Sequence, residues 1–170
     1  MFGRKDTPDG ARFQLEEKLW SIGDDSWILD DQGEHIFKVN GKALRIRRTL
    51  VIEHRDGGEL FKIQERKLHI KETMAIETPE GATAATVKAK LISPIRHRMV
   101  AELADGTEYD VTGNILDHEY EIKNDKQLVA TVSKKWIRVR DTYGIEIMPG
   151  FGEALILAIA VCLDSMVGDD

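Results

Sequence analysis

The chain holds a single cysteine, Cys162. One thiol makes no intrachain disulfide, so the fold must rest on its packed core, and a reducing, cytoplasmic compartment is expected. Aromatic residues are also scarce, at 6%. That is few for the stacking platforms of a single-strand nucleic-acid binder. Positive charge is in deficit: the formal net charge is -6, which argues against nucleic acid as a general partner. No apolar run reaches the ~20 residues that cross a bilayer. The opening "MFGRKDTPDGARFQ" lacks the apolar core of a secretory signal.

Catalytic signatures are missing too. His35, His54, His69, His97 and His118 form no HExxH and no i,i+4 pair. Asp117-His118-Glu119 puts three titratable residues side by side, but neighbours on a strand point to opposite faces and do not converge. "GFGEAL" at 150–155 has Leu155 where a dinucleotide loop needs its third glycine. Asp24-Asp25 and Asp30-Asp31 read as solvated turn acids. Trp20, Trp27 and Trp136 read as packing residues. No metal, no cofactor and no enzymatic activity are expected.

What is present is a repeat. Val39, Ile63, Val87, Val111 and Val132 follow one another at intervals of 24, 24, 24 and 21. Two residues before each stands another core-type residue: Phe37, Phe61, Ala85, Tyr109 and Ala130. About ten residues upstream lies a second series, Ile28, Ile52, Ile76, Ala101 and Ile122. Alternation with period two marks half-buried strands. Between the two series come "DDQG", "RDGG", "PEG", "ADG" and "NDK", where glycine accepts the positive φ of a hairpin turn. The spacing predicts five strand-turn-strand units between residues 26 and 135. "FQLEEKLW" adds a strand before them and "WIRVRDTYGIEIM" one or two after. No linker composition interrupts the series, so residues 1–170 form one domain, with 1–12 as a flexible lead.

Residues 151–168 predict a helix. Ala154 to Leu163 carry no charge and leave no wet side. Such a run spans about 15 Å, half a bilayer core. A helix apolar all round is buried all round. About twelve strands closed into a barrel leave room for one helix inside. The expected fold class is therefore mainly β: an antiparallel barrel of about twelve strands enclosing a hydrophobic C-terminal helix.

Four stretches then carry a resemblance to a known family: "LWSIGDDSWILDDQGEHIFKVNGKAL", "NILDHEYEI" with its leading Gly113, "VATVSKKWIRVRDTYGIEI" and the terminal "ALILAIAVCLDSM". In this order they make the chain similar to the LURP-one-related family, whose fold resembles the C-terminal domain of tubby and the phospholipid scramblases. The resemblance covers nearly everything from Leu15 onward. It implies a twelve-stranded barrel around a hydrophobic C-terminal helix, and an affinity of tubby-like domains for phosphoinositide head groups. It does not carry scramblase activity over, because no D-x-[DN]-x-[DN]-G loop is present and the last helix is too short to span.

Charge follows the repeat as well. Three residues past each second-strand marker stand Lys42, Arg66, Lys90, Asn114 and Lys135, and Arg45, Arg47, Lys67 and Lys134 lie close by. The hairpin tips are acidic instead, with Asp30, Asp31, Asp56, Glu80, Asp105 and Asp125. If all second strands run the same way, one end of the barrel is basic and the other acidic. Lys42, Arg45, Arg47, Arg66, Lys67, Lys90, Lys134 and Lys135 are thus the candidate contacts for an anionic membrane surface or an acidic protein partner. The competing expectations are a cytoplasmic scaffold without a lipid ligand and, more plainly, a solvated rim that keeps strand ends from pairing with neighbours.

Overall fold

The computed structural model describes residues 10–17, 25–42, 49–68, 71–93 and 96–167. Twelve strands come in chain order: β1 (Ala11–Glu16), β2 (Ser26–Asp30), β3 (His35–Lys42), β4 (Thr49–His54), β5 (Glu59–Leu68), β6 (Lys71–Glu77), β7 (Thr83–Ser93), β8 (Arg96–Leu103), β9 (Glu108–Asn114), β10 (Glu119–Asn124), β11 (Gln127–Ser133) and β12 (Thr142–Ile147). One helix, α1 (Glu153–Val167), follows. Each strand pairs antiparallel with its sequence neighbours, and β1 pairs with β12 to close the barrel. β1 begins at Ala11, two residues inside the stretch expected to be a lead, while residues 1–9 lie outside the described part.

The five predicted units are the five hairpins β2–β3, β4–β5, β6–β7, β8–β9 and β10–β11. They share one register. Ile28 faces Phe37, Ile52 faces Phe61, Ile76 faces Ala85, Ala101 faces Tyr109 and Ile122 faces Ala130. A register shift follows the first member of that pair in four of the hairpins, after Ile28, Ile52, Ile76 and Ile122. A bulge of this kind increases local twist, and repeating it helps a sheet to curl. Glycine carries the positive φ at four tips, for example φ 80 at Gly33; at the fifth, where none is available, Asp125 takes φ 58. Tip acids also bind their own turns. Asp30 Oδ1 accepts hydrogen bonds from the amides of Gln32 (2.8 Å) and Glu34 (2.9 Å).

Beyond β11 only one further strand forms among the described residues. Trp136 to Asp141, whose apolar-basic alternation mimics a strand, is an irregular loop instead. Trp136 lies against the outer face of β12 at Gly144, where an added Cβ would meet its ring carbon Cε3 at 3.0 Å. The Arg12 guanidinium sits 5.1 Å above the same ring. The loop is therefore bracketed to the wall and is not added to the sheet.

The chain leaves β12 at the rim of the hairpin tips, turns at Gly150 (φ 95), and sends α1 back through the barrel. Phe151 meets Tyr109 at the entrance, with ring centroids 6.3 Å apart. From Ile156 to Met166 every helical residue is buried. The strand markers Ile28, Ile52, Ile63, Ile76, Val87 and Ile122 surround it in one continuous core. At roughly 1.5–3 kcal/mol for each large aliphatic side chain, the helix is a major share of that core.

Candidate functional site

Antiparallel alternation makes β3, β5, β7, β9 and β11 run the same way. Their final residues therefore meet at one rim, opposite the hairpin tips. Lys42 ends β3, Arg66 and Lys67 lie in the last turn of the pleat of β5, Lys90 is near the end of β7, and Lys134 and Lys135 follow β11. Alternate strands are about 10 Å apart around a sheet, so these positions form a spaced ring. Arg45 and Arg47 fall outside the described residues.

The ring is not uniformly positive. Lys67 stands opposite Glu72 in the β5–β6 register, whereas Lys90 stands opposite Arg98 in β7–β8. Arg98 in turn reaches Glu108 (2.9 Å) and Asp110 (2.8 Å). Lys134 Nζ lies 2.7 Å from Glu17 Oε1. That hydrogen bond, with the fields of Glu17, Asp117 and Asp141, raises its pKa above the ordinary lysine value. At the opposite rim, Asp56 and Asp105 have lowered carboxyl pKa values, chiefly because the amides of Gly58 and Thr107 donate to them. The acids of the tips are thus turn-builders first.

Inside the same basic rim lies a polar latch. His118, at φ 55 in the β9–β10 turn, is buried beneath the end of α1. Its Nε2 is 3.0 Å from Asp164 Oδ1, and its Nδ1 is 3.2 Å from Glu17 Oε1, although not aligned as a hydrogen bond. Its ring stacks on Tyr143 at 4.3 Å. Burial, together with the Asp164 charge, pushes the phenols of Tyr143 and Tyr120 upward. The three neighbours in sequence go three ways: Asp117 accepts from the Asn114 amide group, His118 turns inward, and Glu119 accepts from the Ser133 hydroxyl. Reading residue types alone misses Glu17 and Asp164. The available signal is the carboxylate itself, since a charge on a buried helix demands a partner.

Chemistry elsewhere is sparse. Burial raises the Cys162 thiol pKa, which keeps it a packed, inert group. Among the described residues no group of three His, Cys, Asp or Glu side chains is arranged to hold a metal ion, and no helix is long and apolar enough to cross a membrane. Asp25 pairs with Lys38 at 3.0 Å. β1 and β2 pair only through Phe13–Asp30 and Gln14–Leu29. Where they diverge, a cleft of about 500 Å³ opens between Glu16, Ser26, Trp27 and Arg140, with Trp27 stacked on His35 at its edge. Trp20 lies outside the described residues.

Comparison with known proteins agrees with this geometry. A family model described as LURP-one-related matches residues 11–164. YxjI of Bacillus subtilis (strain 168), described as an uncharacterized protein, is 22% identical over 156 residues, 92% of this chain and 93% of its own. The X-ray structure of an Arabidopsis thaliana protein superposes with a TM-score of 0.69 at 17% identity, covering 95% of this chain and 93% of that one. At that identity the likeness is one of fold.

Proposed function

The chain belongs to the LURP-one-related family, and on that premise we propose that it is a non-enzymatic barrel module whose basic rim docks on anionic phospholipid head groups. The observation that carries the reading is the convergence of strand ends: Lys42, Arg66, Lys67, Lys90, Lys134 and Lys135 come from four separate strands to one end of the barrel, away from the acidic tips. Arg45 and Arg47 follow β3 in sequence, outside the described residues. The filled interior supports a surface function over a chamber for a substrate, because α1 occupies the space that a barrel ligand would take.

Each cation near an anionic bilayer adds about 1 kcal/mol at low screening. Exposed charges are screened within ~8–10 Å at physiological ionic strength. The protein is expected to co-sediment with phosphatidylserine-containing vesicles at low salt, to release as salt rises, and to ignore pure phosphatidylcholine. Lys90→Glu combined with Lys135→Glu is expected to weaken partitioning roughly tenfold or more. Flat sedimentation at low salt overturns the reading. In that event a pull-down partner that survives charge reversal at the rim supports the scaffold reading instead.

A further inference from the structure

We propose that the membrane contact is made by one sector of the rim, in which Leu116 and Val139 insert below the head groups while Lys135, Arg138 and Arg140 bind the lipid phosphates. The inference rests on the docking function proposed above and adds an orientation and an apolar anchor to it.

Three large apolar side chains are exposed among the described residues: Leu116 at 64%, Val139 at 59% and Trp136 at 36%. A lone exposed leucine is ordinary and needs no explanation. The placement of these three is not scattered. Leu116 is at the β9–β10 turn, and Trp136 and Val139 are in the β11–β12 loop. Both connections are on the rim where the basic strand ends meet, and adjacent hairpins put them about 10 Å apart. The acidic tips display no such side chain among the described residues.

Both connections are also built to hold their shape. In the turn, the His118 amide donates to the Ile115 carbonyl at 3.1 Å. Ile115 packs toward the core and His118 reaches Asp164, so Leu116 between them is presented outward. In the loop, the Thr142 hydroxyl donates to the Val139 carbonyl at 2.6 Å, and the Ile137 amide to the Lys134 carbonyl at 3.1 Å. Trp136 is pinned between Arg12 and Gly144. An outward Val139 is thus fixed by its own backbone at little entropic cost on docking.

Charge selects an anionic bilayer as the occupant. In "KKWIRVRD", residues 134–141, four cations face one carboxylate. Lys134 is engaged by Glu17, while Lys135, Arg138 and Arg140 are exposed. Of the nearby acids, Asp117 is bound by Asn114 and Glu119 by Ser133 and the Lys134 amide. Basic residues interleaved with Trp and aliphatic tips are the pattern that binds a membrane interface, with strength set by apolar area and anionic charge together.

The test uses the full chain and phosphatidylserine/phosphatidylcholine vesicles. Leu116→Ser with Val139→Ser leaves every charge in place, and both sites are exposed, so the thermal melt is expected to stay unchanged. Vesicle partitioning is expected to fall about tenfold while its dependence on salt is kept. A second readout places an environment-sensitive dye at Val139→Cys, which is clean because the native thiol is buried. Its emission is expected to shift to the blue on vesicle binding and to be quenched by brominated lipids. Wild-type binding with an unaltered serine variant and an unquenched dye overturns the insertion while leaving head-group docking intact. Failure of the wild-type protein to bind overturns both.

Discussion

Asp164 is a carboxylate in the last turn of a helix that the barrel encloses, and it is buried. The negative end of the helix dipole opposes it there, and the helix offers no basic residue in its last turn. His118 supplies a partner from another element. The two partners are not equivalent. Losing His118 takes a polar contact from a buried carboxylate at the wrong end of a dipole; losing Asp164 leaves the imidazole still beside Glu17. His118→Ala is therefore expected to cost about 1–3 kcal/mol, the range for a buried polar group that loses a hydrogen-bond partner. Asp164→Ala is expected to cost less, and the double variant no more than His118→Ala. Urea melts of the full cycle measure this, and equal single costs contradict it. The sequence signals half of this contact: a charge beside ten apolar helical residues must be answered. It does not signal by whom, because His118 reaches inward from a turn at φ 55 and Glu17 comes from the other end of the chain. Gly113 lies near the end of β9, just before the same turn. At φ 123, with the Glu119 carbonyl 2.6 Å from where its Cβ would lie, it admits no side chain, which gives a steric reason for a glycine at the head of "NILDHEYEI".

The hairpin is the element that repeats, and it was legible because its two signals are local. Alternation identifies the inward face, and a residue tolerant of positive φ marks the tip. The common register of Ile28–Phe37, Ile52–Phe61 and Ile76–Ala85 follows from equal spacing across equal turns. The loop from Trp136 to Asp141 misleads for the opposite reason. Its alternation is strand-like, but Trp136 finds a bare glycine on the wall and folds over it. The helix is legible from its lack of any polar face, and its consequence is testable. A chain ending at residue 150 keeps all twelve strands and loses what fills them. Inward side chains such as Ile52, Ile63 and Val87 then line a cavity wide enough for a helix, far larger than a core tolerates. The truncated chain is expected to be insoluble, or to collapse into a state that binds hydrophobic dyes. A soluble product with a cooperative melt contradicts the central role of α1.

At the scale of the whole molecule, wall and filler share one core and are expected to unfold together. The barrel closes only when β1, the first strand, meets β12, the last, and the core completes only when the helix that follows β12 is inside. The basic rim inherits this dependence. Its ring comes from strand ends that the closed sheet holds in place, and its latch ties the end of α1 to the turn that displays Leu116. A helix able to slip out would loosen the same rim that the proposed docking uses. Cys162 reports on that directly. It sits within α1, it is fully buried, and burial raises its thiol pKa. In native conditions alkylating reagents should therefore not touch it. Along a urea titration, thiol labelling should rise at the same midpoint as the far-ultraviolet signal of the sheet falls, as two-state unfolding requires. Labelling that precedes the loss of sheet would mean that α1 leaves an intact barrel, and the helix would then be a detachable tail and not the core. Coincident midpoints place helix, latch and rim in one folding unit.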